Sequence, residues 1–225
     1  CTDRGNAKWA LSSLSRKGAS SHGCKTIMKV GATNIPGILR FRLDVHQDER
    51  GSFAEIYKRT SYRDIGIDVE FVQDMHSCSR QGVLRGLHYQ VSRPQGHLVT
   101  AVSGRIFDVG VDLRSGSPSF GQCFDTVLDG DRFDQVYLPP GIAHGFCVLS
   151  ETANVIYKCT EFYLPGDEGG LFWKDPDLGI NWPTIEVHIA TRDKEWPCLK
   201  AIPEHLLPRM QYKTGAQCPS YRVSS

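Results

Sequence analysis

From residue 35 onward the chain falls into short runs of apolar and β-branched residues, separated by Gly, Pro, Asp and Ser clusters. This pattern predicts strands over 37–43, 52–57, 69–73, 83–90, 97–102, 105–113, 122–128, 135–138, 146–150 and 155–162. The clearest run is 105–113. There Phe107, Val109, Val111 and Leu113 share one face of a strand, and Asp108, Gly110 and Asp112 share the other. If the apolar set fills the space between two sheets, the acidic set meets solvent; in a barrel with a polar cavity the assignment reverses. Residues 62–66 predict a short helix, and 199–207 predict a helix broken by Pro203. Many short strands at this spacing predict a β-sandwich or barrel rather than a βαβ fold. After Tyr163 the pattern loosens, with Trp173 and Trp182 placed to cap a core.

Composition narrows this picture. Of 225 residues, 40% are hydrophobic, enough for one large β domain or a smaller one with extensions. A formal charge of +1 gives no ground for a nucleic-acid or membrane-surface partner. No apolar run approaches the ~20 residues of a spanning helix. Residues 1–30 are rich in Ser, Gly, Lys and Arg, without periodicity, and read as a flexible leader or a targeting extension. Residues 31–205 form the expected domain and 206–225 a tail. The eight cysteines include no Cys-x-x-Cys pair, and Cys123, Cys147 and Cys159 lie in strand-like contexts that suit buried thiols. A cytoplasmic location is the expectation.

Candidate chemistry gathers at two places. Gly82-Val83-Leu84-Arg85-Gly86-Leu87-His88-Tyr89-Gln90 sets an arginine close to a histidine. In an unbroken strand Arg85 and His88 would point to opposite faces. Pro139-Pro140-Gly141-Ile142-Ala143-His144-Gly145-Phe146 places another histidine at a turn-to-strand junction. His88, His97, His144 and Asp108 are conceivable metal ligands. The closely spaced His-x-His of a cupin metal site is missing, however, so the cavity is expected to work without metal. Neither a Gly-x-Gly-x-x-Gly nor a P-loop motif occurs, and no cofactor is expected.

Taken together, the segments between Asp48 and Pro183 resemble the sugar-nucleotide 3,5-epimerases, that is, the dTDP-4-dehydrorhamnose 3,5-epimerases and their 3-epimerase relatives. The matching segments are Asp48-Glu49-Arg50-Gly51, Val72-Gln73, the 82–90 run, Phe107-Asp108-Val109, Ser117-Pro118-Ser119-Phe120-Gly121, the 140–146 run and Gly179-Ile180-Asn181-Trp182-Pro183. The resemblance implies an all-β, cupin-type jelly-roll barrel with short peripheral helices. It also implies a homodimer that exchanges N-terminal strands, and epimerisation of a nucleoside-diphosphate 4-keto-6-deoxyhexose without cofactor or metal. By position, His88 would be the general base, Asp193 its carboxylate partner and Tyr157 the acid on the other face of the sugar. Arg85 would meet the diphosphate, Gln73 and His144 would line the pocket, and Arg50 and Glu55 would reach the pyrimidine from the partner subunit. The alternatives are a C3-only epimerase or an isomerase acting on a related nucleotide 4-keto sugar and, from another class, a noncatalytic sugar-nucleotide-binding cupin.

Two positions depart from the family pattern. Gln95-Gly96-His97-Leu98-Val99 carries histidine where the family commonly has the lysine that supports the keto oxygen. Either protonation of His97 restores that charge and makes activity favour lower pH, or the histidine marks a changed substrate. Gln73-Asp74-Met75-His76 carries methionine where asparagine is common, trading an amide for a thioether.

Overall fold

The structure, a computed structural model, describes residues 28–209. In chain order its strands are β1 (Met28–Ala32), β2 (Leu39–Leu43), β3 (His46–Asp48), β4 (Gly51–Phe53), β5 (Gln73–Arg80), β6 (Val83–Gln90) and β7 (His97–Ser103). There follow β8 (Arg105–Asp112), β9 (Cys123–Asp129), β10 (Asp134–Leu138), β11 (Ile142–Val148), β12 (Thr152–Cys159), β13 (Glu168–Gly170) and β14 (His188–Ile189). The two α-helices among the described residues are short: α1 (Arg59–Asp64) and α2 (Thr191–Lys194).

One sheet has the order β1-β2-β10-β7-β12-β5, and the facing sheet the order β13-β6-β11-β8-β9 with β14 alongside β6. Neighbours in both sheets are antiparallel except β14, which runs parallel to β6. β3 and β4 form a separate hairpin. This is the predicted all-β jelly roll of cupin type, with its helices at the periphery.

Three apolar layers hold it. Between the sheets, Val99, Ala101, Val136, Leu138 and Val155 from the first sheet meet Ile106, Phe146 and Val148 from the second. Burying each such side chain is worth about 1.5–3 kcal/mol. On the outer face of the second sheet, Leu87, Val109, Val111 and Leu113 are covered by Leu171, Leu178 and Ile202 of the C-terminal segment. On the outer face of the first, Leu39, Phe41 and Leu98 are covered by Tyr62 and Ile67. Because β8 is covered on both faces, Asp108 and Asp112 turn inward and are fully buried, the reversed assignment that a polar barrel requires. Trp182 packs edge-on against Phe107 at 5.7 Å and donates its indole N–H to the Trp173 carbonyl at 2.6 Å, so the pair caps the C-terminal layer as expected.

Several predicted elements shift. The helix expected at 62–66 is one turn earlier, at Arg59–Asp64. The strand expected at 52–57 shrinks to Gly51–Phe53, and the one at 69–73 starts only at Gln73 and runs on to Arg80. Polar Gln73–Arg80 alternates little in hydrophobicity, but its backbone is paired along β12, which overrides its composition. The 199–207 helix is two 3-10 turns, Leu199–Ala201 and Glu204–Leu206, on either side of Pro203. The expected leader (1–30) and tail (206–225) fall largely outside the described residues, although β1 begins within the former and Arg209 bridges to Ser115.

Candidate active site

A cavity of about 470 Å³ opens between the sheets at one end of the barrel. Strand periodicity aims one wall at it. Gln73 on β5, His97 on β7 and Cys159 on β12 are cross-strand partners; two residues further along, Met75, Val99 and Tyr157 are partners in the same way. Cross-strand partners share a face, so this wall presents Gln73, Met75, His97 and Tyr157 together.

The opposite wall departs from strict alternation. On β6, Arg85 pairs with Phe146 and His88 with His144, so β6 carries one residue more than β11 over this interval. Such a bulge rotates the following residues to the other face. Arg85 and His88 therefore both line the cavity, where unbroken alternation would have separated them. Gly86 makes this possible: its φ is +119°, and a Cβ there would meet the Gly145 Cα at 2.5 Å.

His88 Nε2 lies 2.8 Å from Asp193 Oδ1. With Nε2–H donating to that carboxylate, Nδ1 keeps its lone pair free to act as a base. Glu168 Oε1 stands 3.7 Å from Nδ1 and its carboxylate is held by Arg192 at 2.6 Å. Asp193 is buried, which by itself raises its pKa. Hydrogen bonds from His88, the Gly86 N–H and Arg192 outweigh that effect and hold the carboxyl below its ordinary value. Burial, reinforced by Cys159 and Glu168 and opposed by Arg85, raises the pKa of the Tyr157 phenol, so it stays protonated.

His144 donates from Nε2 to Asp108 Oδ2 at 2.8 Å, both groups buried. His97 packs against the rings of His144 and Tyr157, each with its centroid 5.7 Å away, and its buried Nδ1 has no hydrogen-bond partner among the described residues. Burial, then the neighbouring His144, pushes its pKa down to about 3. A protonated His97 is therefore excluded at ordinary pH, contrary to the expectation that it restores a lysine-like charge. The would-be metal ligands are split between two carboxylates, His88 on Asp193 and His144 on Asp108. Among the described residues no cluster of three or more His, Cys, Asp or Glu has metal-binding geometry.

Arg85, which is exposed and lines the cavity, donates from Nε to Ser79 Oγ at 3.3 Å. Gln73 accepts from the Tyr163 N–H at 2.9 Å. Thus His88, Tyr157, Asp193, Gln73, Arg85, His97 and His144 share one cavity. Arg50 and Glu55 do not reach it: both are exposed, and Arg50 pairs with Asp48 in the β3–β4 hairpin. Sequence reasoning missed Glu168, Arg192 and Trp196. Glu168 sat in a predicted turn, yet it belongs to β13, which pairs with β6 and sets Gly170 opposite His88.

The profile of the dTDP-4-dehydrorhamnose 3,5-epimerases matches residues 32–201. The chain belongs to this family. It is 42% identical over 177 residues to the dTDP-4-dehydrorhamnose 3,5-epimerase of Methanothermobacter thermautotrophicus, covering 77% of this chain and 96% of the relative. Its fold matches the crystal structure of the dTDP-6-deoxy-D-glucose-3,5-epimerase RmlC from Legionella pneumophila in complex with dTDP-4-keto-L-rhamnose. That match has a TM-score of 0.80 and 43% identity and covers 82% of this chain and 100% of the other. The 3'-monoepimerase ChmJ from Streptomyces bikiniensis, in complex with dTDP-quinovose, matches with a TM-score of 0.74 and 35% identity over 79% of this chain and 91% of the other. The chain is thus similar to proteins named for one epimerisation as well as for two, and the motif segments carrying His88, His144 and Tyr157 lie inside the residues that the family profile matches.

Proposed function

We propose that this chain epimerises C3 and C5 of a dTDP-4-keto-6-deoxyhexose, converting dTDP-4-dehydro-6-deoxyglucose to dTDP-4-dehydrorhamnose. The carrying observation is that a carboxylate-held base, His88, and a protonated phenol, Tyr157, line one cavity from opposite sheets. Inversion requires a proton to leave one face of a carbon and another to arrive on the opposite face.

His88 Nδ1 takes the proton from the carbon beside the ketone, and the C–H electron pair delocalises onto the keto oxygen as an enolate. Tyr157 then delivers its phenolic proton to the other face as the pair returns to carbon. The imidazolium loses its proton to solvent, and the phenolate regains one. Substrate and product are stereoisomers, so the cycle is redox-neutral, and the ketone itself is the electron sink. Asp193 fixes the His88 tautomer and stabilises the imidazolium. Arg85 offers its guanidinium to the diphosphate. His97 presents a neutral imidazole towards the keto oxygen, with Gln73 and His144 completing the pocket.

Arg50 and Glu55 act from a second copy of the chain. Arg50 lies in the exposed β3–β4 hairpin, where Phe53 is 73% exposed, Glu55 follows that hairpin closely, and neither side chain lines its own cavity. A homodimer exchanging this segment would bring them to the partner's pyrimidine. Active heterodimers from mixed R50A and H88A chains, each inactive alone, would support that sharing. Neither nucleic acid nor membrane is a partner in this reading, and the free thiols, including buried Cys147 and Cys159, suit a cytoplasmic setting. No described helix is long and apolar enough to cross a membrane.

The test is deuterium incorporation from solvent at C3 and C5 of dTDP-4-keto-6-deoxyglucose, for wild type and H88A. Exchange at both carbons, lost in H88A, is expected. Exchange at C3 alone would reassign the chain as a 3-epimerase, and tight binding without exchange would make it a binding protein.

A further inference from the structure

We infer that Trp196 is a positioning residue for the His88–Asp193 pair, an inference that rests on the proton-abstracting role proposed for His88. Trp196 follows α2 closely in the chain, so the helix that delivers Asp193 also delivers the indole. Its Nε1–H donates to Asp193 Oδ1 at 3.4 Å, the same oxygen that His88 Nε2 meets at 2.8 Å. Its ring stands edge-on to the imidazole, at 72° with centroids 6.4 Å apart.

The indole is absent from the lining of the substrate cavity. It lines a second cavity of about 320 Å³, behind the dyad, together with Tyr89, Gly170, Ile202 and Leu206. Trp196 therefore closes the rear of the dyad while the substrate cavity opens at its front, which helps keep the Asp193 side chain only 3% exposed.

The backbone makes room for this arrangement at Gly170. A Cβ there would lie 2.1 Å from the Cδ2 and Cε2 atoms of the Trp196 ring. Gly170 is also the residue paired with His88 across β13 and β6. A glycine opposite the base thus leaves the slot that the indole fills. Its φ lies outside the left-handed region, so close approach, and not a turn, is what requires glycine here.

The consequence is electrostatic as well as steric. The indole N–H and Arg192 Nε share the charge of Oδ1 with the imidazole. Without the indole N–H, Oδ1 turns more of its charge on His88 and holds the imidazolium proton more tightly. The other groups that bear on His88 are Glu168, Arg192, Arg85, His144, His188 and Tyr157, all of which W196F leaves in place.

The experiment compares wild type, Trp196→Phe, Gly170→Ala and the double variant. Readouts are melting temperature, the pH profile of deuterium exchange, and the NMR titration of the His88 ring without substrate. Trp196→Phe is expected to lower kcat about tenfold, a barrier change of one 1.36 kcal/mol step, with KM unchanged. The acid limb of the profile and the His88 titration should both move to higher pH. Gly170→Ala, which expels the intact indole, should do the same, and the double variant should be at least as impaired as Trp196→Phe, because a phenyl ring keeps a Cγ that the added Cβ would meet at 2.4 Å. Folded Trp196→Phe protein with an unchanged kcat and an unchanged His88 titration would overturn the inference, leaving Trp196 as packing alone. Failure of the functional reading is distinguishable, since wild type would then show no exchange while the ring titration still reports whether Trp196 acts on His88.

Discussion

The rings of His97 and Tyr157 meet edge to face, at 78° with centroids 5.7 Å apart, on neighbouring strands of one sheet. Each keeps the other out of water, and the same burial moves their pKa values in opposite directions. It drives that of His97 down, to about 3, and that of Tyr157 up. Both groups are therefore neutral across the physiological range, a phenol able to donate and an imidazole without charge.

Replacing His97 with lysine puts an amine beside the His144–Asp108 pair, where Asp108 Oδ1 is buried without a hydrogen-bond partner among the described residues. Epimerisation by H97K should be retained or raised, by up to roughly a hundredfold if the keto oxygen gains a full oxyanion donor. Steady-state rates on folded protein check this; a loss greater than about tenfold would show that the neutral imidazole is the better partner here.

Removing the phenol should uncouple exchange from inversion. In Y157F, His88 still abstracts and returns a proton on its own face, so deuterium should enter with retention. Net inversion should fall by about 10²–10⁴-fold, the usual contribution of a general acid. NMR of the recovered sugar distinguishes the two outcomes, and equal losses of both would place Tyr157 outside proton delivery.

Asp193→Asn exchanges an acceptor for an amide and disfavours the Nε2–H tautomer of His88, so kcat should fall by roughly 10³–10⁴. Stability should change with a definite sign. The Asp193 pKa is held below its ordinary 3.8, so ionisation favours the fold above that pH, and the benefit is lost as pH falls through the lower native value. Melts from pH 6 downward should thus show the wild-type lead over D193N narrowing on acidification.

A buried cluster away from the cavity should matter for stability alone. Asp112 accepts from Arg114 at 2.7 Å, Ser117 at 2.6 Å and Ser119 at 2.6 Å, with the ion pair almost fully buried. R114M strands that carboxylate and should cost about 3–5 kcal/mol. Urea denaturation measures the loss, and residual folded enzyme should keep its wild-type KM.

The strands with strong alternation were legible in the sequence: Arg105–Asp112 and His97–Ser103 lie almost where their pattern puts them. Gln73–Arg80 was not, because a polar strand paired along one edge has no hydrophobic signature of its own. At the site, His88, His144, Tyr157 and Asp193 were readable from motifs, but the side on which Arg85 lies was not. A one-residue bulge at Gly86 decides it, and alternation counted along an isolated strand cannot register an extra residue that only its pairing with β11 defines.

By itself the sequence determined the all-β architecture, the family and the identity of the chemical groups, because period-2 patterning and ordered motifs are local properties of the chain. Tertiary structure alone decided that Asp108 turns inward, that His97 is neutral, that Trp196 backs the dyad, and that His88 and Tyr157 face one cavity from opposite sheets. Burial, charge state and facing geometry depend on which distant segments meet: His88 and Asp193 are 105 residues apart along the chain and 2.8 Å apart in space.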